Sequence, residues 1–201
     1  MTVATWPMTL EAFFAYDDGT DALYELENGE LLIMPPESYL NKRIAIALLI
    51  FFAQSNVPPR CLLMETEIVV TGTGPTVRVP DLLVLSQEGA EALEGATRST
   101  VNLEMPPPRL AVEVVSPGSA NIKRDYRYKK SQYEARGIGE YWVVDPIEQR
   151  ITVFVLVEGL YESKVFTGEQ TIASPFLQDL QAQESQMGIG LTAAQVLGAS
   201  I

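Results

Sequence analysis

A chain of 201 residues, 47% hydrophobic and with a formal net charge of −12, can build one well-cored domain and lacks the positive charge for indiscriminate nucleic-acid binding. It has no histidine and one cysteine, Cys61, which excludes histidine-based nucleophilic catalysis, histidine-ligated metals, a thiolate cluster and an intrachain disulfide. What remains is carboxylate, lysine, tyrosine and hydroxyl chemistry, or a metal held by oxygen, for which magnesium, manganese or calcium are the suitable ions.

In chain order, the opening MTVATWPMTLEAFF has neither the basic flank nor the apolar block of a signal peptide. The apolar run IAIALLIFFA (44–53) is too short for a membrane span, so a cytoplasmic protein is expected. Thr9 caps a helix over 10–17. YELENGELLIM (24–34) alternates around Asn28-Gly29, a strong two-residue hairpin signal, and Pro35-Pro36 ends its second strand. An apolar helix is predicted over 38–54, then strands over 61–70 and 77–86, then a polar excursion to residue 100. LAVEVVS (110–116) reads as a central strand covered on both faces. A basic helix over 121–136 stops at Gly137, and EYWVVD (140–145) is a further buried strand. A hairpin over 150–168 and a helix over 192–198 capped by Thr192 complete the chain. The unit 110–145 implies a right-handed parallel crossover, and the hairpins imply antiparallel edges. The expected fold is a single α/β domain over 1–201, a mixed β-sheet core flanked by helices.

Glu113 is the anomaly, because a carboxylate inside an apolar strand needs neutralising, pairing or a metal. Alternation puts Ala111, Glu113 and Val115 on one face, close to the strand's C-terminal end at Ser116-Pro117-Gly118, where sites in such sheets gather. Asp81 enters the apolar run LLVL after Pro80, whose missing amide suits an edge or bend. Two such acids brought together repel, which raises a pKa or recruits a divalent cation. In the basic helix, Ile122, Tyr126, Lys129 and Tyr133 form one stripe. Facing the sheet, that stripe carries Lys129 to the acids, with Asp125 one turn earlier able to orient it. Lys123, Arg124, Arg127 and Lys130 point away and form a candidate anion-facing patch, in a segment that is +4. Glu25 and Glu67 are further acids able to add a ligand or a water contact. Asp145 before Pro146 reads as a turn cap, and Tyr133 and Trp142 read as core.

Taken together, Asp81, Glu113 and Lys129 with their flanking segments resemble the PD-(D/E)XK nuclease superfamily, and within it the restriction-endonuclease-like Uma-two group. The likeness runs from YELENGELL through VPDLLVL, LAVEVVSPGS and RDYRYKKSQYEARGIGEYWVVDP to LTAAQVL. It implies a restriction-endonuclease-like fold and a magnesium-dependent (or manganese-dependent) endonuclease acting on DNA. Asp81, Glu113 and the Val114 carbonyl would be its metal ligands. The superfamily's lysine position is Val115 here, and Lys129 matches the helix position used instead by the related family. Val115 and the acidic charge also allow a catalytically inactive nucleic-acid-binding or protein-interaction module. A two-carboxylate glycosidase gives no reason for Lys129. A homodimer presenting two sites is compatible with the absence of a separate recognition module.

Overall fold

The structure, a computed structural model, describes residues 7–118, 124–183 and 190–199. Its elements follow local signals closely where a cap or turn fixes them. Thr9 Oγ1 accepts the Ala12 amide to begin α1 (Leu10–Phe14). β1 (Tyr24–Glu27) and β2 (Glu30–Ile33) turn through Asn28 and Gly29, whose φ values of 53° and 86° are those of a hairpin turn twisted to match its strands. Ser38 caps α2 (Tyr39–Gln54). β10 (Arg150–Val157) and β11 (Leu160–Thr167) form the second hairpin, and a Thr192/Gln195 capping box opens α6 (Ala193–Leu197).

The fold is mixed α/β, but its strands make two sheets where the alternation alone suggested one. The run expected as a strand over 61–70 is divided into β3 (Leu62–Leu63) and β4 (Glu67–Val70), with Glu65 at φ 53° between them. The run over 77–86 is divided into β5 (Thr76–Arg78) and β6 (Leu82–Val84), with Pro80 in the gap. Each break carries the chain from one sheet to the other. One sheet has the order β2-β1-β5-β4-β7, where β7 is Thr100–Val101. The other runs β11-β10-β9-β8-β6-β3, with β8 at Leu110–Val114 and β9 at Glu140–Asp145. The β8–β9 pair is parallel, as the crossover required, and the other pairs of this sheet are antiparallel.

Two helices were not anticipated. Ser86 caps α3 (Gln87–Leu93) inside the polar excursion. Ser174 accepts the Leu177 amide at the start of α5 (Pro175–Gln183), whose Phe176, Leu177 and Leu180 are buried. The basic segment is a π-helical turn, Arg124–Lys129, continuing into α4 (Lys130–Arg136), which ends at Gly137 in the left-handed conformation. The two faces of the central sheet are covered differently. Trp142, opposite Val112, packs edge-on against Phe52 of α2, which also meets Phe176 of α5. Tyr141, opposite Ala111, packs on Tyr133 of α4. Ala111 and Glu113 share a face by alternation, so Glu113 lies on the α4 side. Among the described residues no helix is long and apolar enough to cross a membrane.

Gly139 marks where β8 and β9 come together. A Cβ there would lie 2.9 Å from the Arg109 carbonyl oxygen, which accepts the Glu140 amide. The backbone on both sides is held by the ladder and cannot retreat cheaply. Gly139→Ala should therefore destabilise the protein by about 1–3 kcal/mol, the usual cost of overpacking. Urea unfolding checks this, and a midpoint equal to wild type would contradict the close approach.

Candidate active site

The β6–β8 register pairs Leu82 with Val112 and Leu83 with Ala111. Carried one residue further, it sets Asp81, in the bend before β6, opposite Glu113, so the two acids meet at the same end of the sheet. The Val114 amide donates to Asp81 Oδ2 at 2.6 Å, tying the bend after Pro80 to the end of β8. The Val114 carbonyl accepts from Asn41 Nδ2 of α2 at 3.3 Å. The same amide group also donates to Ser116 Oγ at 3.1 Å and Glu37 Oε2 at 2.9 Å.

Lys129 reaches the site from the other direction. Its ammonium is fully buried, 2.8 Å from Glu113 Oε1 and 3.1 Å from Glu25 Oε1. Tyr133 also donates to Glu113 Oε1, at 2.8 Å. Burial, with the Glu113 charge adding to it, holds the Tyr133 phenol well above its ordinary pKa, so it remains a donor. Glu25 lies across from Arg78 by the β1–β5 register, in which Leu26 faces Val77. Arg78 Nη1 donates to Glu25 Oε2 at 2.9 Å, and the Val79 amide donates to Glu25 Oε1 at 3.1 Å. Arg78 Nε meets Gln132 Oε1 at 2.9 Å, and Arg78 Nη2 lies 3.1 Å from Glu27. An alternating chain of charge thus runs Glu27, Arg78, Glu25, Lys129, Glu113 from one sheet to the other.

The site is rich in negative charge. Among the described residues the buried cations are Arg78 and Lys129, whereas Glu25, Glu113 and Asp125 are buried and Asp81 and Glu27 are half-buried. Desolvation pushes Asp81 up to about 7; the Val114 amide opposes that rise, the Glu37 charge adds to it, and Lys129 draws it back down. Burial likewise raises Glu113; Lys129 opposes the rise, and Asp125, Asp81 and Glu25 add to it. Asp81 and Glu37 open onto a cleft of about 660 Å³, walled by Ile33, Met34, Pro80 and Met64 and lined also by Lys42.

The sequence-predicted residues divide clearly. Asp81, Glu113, Val114 and Lys129 come together, and Glu25 joins them through the lysine. Glu67 does not join this network: Arg98 holds it with two bonds of 2.6 and 2.8 Å, and Thr100 donates to it as well. The expected stripe is shifted. In the π-helical turn Asp125 is buried and Tyr126 is half-exposed, with its hydroxyl 3.4 Å from Asp145; Ile122 lies outside the described residues. Lys130 is not a free cation either. It pairs with Glu134 at 2.9 Å and lies over the Phe154 and Tyr161 rings. Arg127 is exposed, Arg124 belongs to the backbone of the π-helical turn, and Lys123 lies outside the described residues. Asp145 caps the turn after β9 by accepting the Ile147 and Glu148 amides. Sequence reasoning missed Arg78, Gln132, Asn41 and Glu37. The arginine in VRVP was the one visible signal, a charge at a strand position as anomalous as Glu113.

An oxygen-only donor set of Asp81, Glu113 and the Val114 carbonyl fits a hard divalent cation, and the raised acids show charge that such an ion would neutralise. Among the described residues no group of three acids is arranged as a ready metal site, so the backbone carbonyl and water would have to complete the coordination.

No curated protein matches the chain. Among solved structures, it is similar to the crystal structure of "a putative nuclease belonging to DUF820" from Anabaena variabilis ATCC 29413. The TM-score is 0.70 and the identity 16%, over 97% of this chain and 100% of that one. At that identity the likeness establishes the fold. The family model Uma2, described as "Putative restriction endonuclease", matches residues 10–191. With nearly the whole chain inside that match, the protein belongs to the Uma2 (Uma-two) family, on a nuclease-type fold.

Proposed function

We propose that the protein is a magnesium- or manganese-dependent endonuclease that hydrolyses DNA phosphodiester bonds. The observation that carries this is the Val114 amide bound to Asp81, which brings that acid to the end of β8 beside Glu113, with the Lys129 ammonium 2.8 Å from Glu113 and a cleft opening at Asp81. A divalent cation held by Asp81, Glu113 and the Val114 carbonyl would neutralise charge at the phosphoryl group and acidify water. Lys129, held between Glu25 and Glu113, would keep a buried positive charge close to the acids and the developing negative charge. Water adds to phosphorus as the bond to the leaving oxygen breaks; the water's proton passes to solvent, and the leaving oxygen takes a proton from solvent. Lys42, in the cleft, and Arg127, exposed on the turn that also carries Lys129, are the cations we assign to meeting the DNA backbone. The competing reading, an inactive member of the family, draws on Val115, which is fully buried and apolar at the superfamily's lysine position.

Cleavage of supercoiled DNA separates the two readings. Wild type should nick it with magnesium or manganese and not with chelator, and Asp81→Asn should lower the rate by at least about a hundredfold, as loss of a metal ligand does. Asparagine resembles the protonated Asp81 and can still accept from Val114, so the variant should fold at least as stably as wild type at pH 8. Lys129→Ala is a poorer probe. It leaves Glu25 and Glu113 buried with a partner gone, a change that costs about 3–5 kcal/mol.

The raised acids also predict a pH dependence. An acid whose pKa is higher in the folded than in the unfolded state keeps a proton that the unfolded chain has lost, so its contribution to stability falls as pH rises toward the folded value. For Asp81 that window runs from its ordinary value of 3.8 to about 7. Between pH 5.5 and 8 the carboxylates with lowered pKa, such as Asp18 and Glu134, are already ionised and do not mask it. Metal-free protein should therefore melt at a lower temperature at pH 8 than at pH 5.5, and Asp81→Asn should show a smaller difference. Added magnesium should raise the melting temperature more at pH 8. Equal melting temperatures of wild type and variant, with and without magnesium, would favour the inactive reading.

A further inference from the structure

The mechanism above leaves Glu25 and Arg78 without a part, although both are fully buried. Glu25 is not an adaptable acid. Arg78 holds its Oε2 at 2.9 Å, and the Val79 amide holds its Oε1 at 3.1 Å. Arg78 is itself anchored by Glu27 and by Gln132, three residues after Lys129 on the continuing helix. Glu25 is thus a stationary acceptor, fixed from the sheet opposite to that of Glu113. Between the two carboxylates lies the Lys129 ammonium, 3.1 Å from one and 2.8 Å from the other.

Glu113 has a second demand on it if it holds a divalent cation. That ion and the ammonium would share one buried carboxylate, and a dication repels an ammonium twice as strongly as a unit charge does at the same distance. Lysine has a flexible four-carbon stem and a compact charge, so it can shift where an arginine fork cannot. Glu25 already lies within hydrogen-bond reach. We propose that Glu25, locked by Arg78, is a second berth for Lys129, and that when a divalent cation takes Glu113 the ammonium passes wholly onto Glu25. Lys129 then acts as an internal competitor that fills the cation's place in the empty site, and Glu25 and Arg78 are positioning residues that set how readily it leaves. This arrangement presupposes the cation site at Asp81 and Glu113 proposed above.

Calorimetric titration of manganese into the 201-residue protein tests it. Glu25→Asp keeps the negative charge but withdraws it from Lys129 by one methylene, so the lysine should hold to Glu113 and manganese affinity should fall about tenfold, a coupling of ordinary size between linked sites. In a Lys129→Gln background, whose neutral amide can still donate to the buried carboxylates and which itself should bind manganese more tightly, the same Glu25→Asp change should alter affinity by less than about twofold. An equal loss in both backgrounds, or no loss in either, overturns the competition. Arg78→Lys offers the same cycle should Glu25→Asp not fold, with the loss again confined to the background that contains Lys129. Failure of wild type to bind manganese, or binding by Asp81→Asn as tight as wild type, would remove the cation site itself and the competition with it. Manganese binding that depends on Asp81 but shows no dependence of the Glu25 effect on Lys129 overturns the second berth alone.

Discussion

The fully buried ammonium of Lys129 is the constraint around which the two sheets are arranged. An unpaired charge in that position would be intolerable, and two partners from different sheets answer it, Glu25 on β1 and Glu113 on β8. Each partner then needs donors of its own. Arg78 and the Val79 amide serve Glu25, Tyr133 serves Glu113, and Gln132 ties Arg78 back to the helix that carries the lysine. Removing any member exposes the next to the cost of burial, so the network specifies one relative placement of sheets and helix. Buried ion pairs of this kind add little net stability over a well-packed apolar core. Their presence here points to a use for the charge rather than to a need for strength.

That use is visible in the acids left over. Asp81 and Glu113 lie where burial works against ionisation; Glu37 and Asp125 add to the strain on Asp81, and Asp125, Asp81 and Glu25 to that on Glu113. Under the function proposed here, a cation bound at these acids would relieve that strain, and its gain would be larger because the unliganded arrangement is poor.

The sequence displayed the elements better than their partnership. Asn28-Gly29, Ser38, Gly137 and the Thr192/Gln195 box announced ends and turns through chemistry confined to a few residues. The parallel crossover from β8 to β9 followed from a strand, a helix and a strand in order. The division into two sheets did not, because apolar residues continue through both switch points and periodicity carries no record of which neighbour a strand will pair with. The π-helical turn moved the buried stripe from Tyr126 to Asp125, a displacement that a regular helical period cannot express. In the site, Asp81, Glu113 and Lys129 were legible because each broke an apolar pattern. Gln132 and Asn41 break none, and their importance arises from partners 54 and 73 residues distant.

The connector between the two sheets has a consequence for how this protein can vary. Arg78 ends β5 in one sheet and Asp81 begins the approach to β6 in the other, with Val79 and Pro80 between them. The lysine's support and the cleft-facing acid are therefore separated by a fixed length of chain. Insertion or loss of one residue here would invert the alternation downstream, turning Asp81 or Arg78 to the wrong side of its sheet. Substitution within the connector is open to drift, but its length is not. Among relatives of this protein, the spacing from the arginine to the aspartate should be the quantity that lineage leaves untouched while the loops on either side lengthen and shrink.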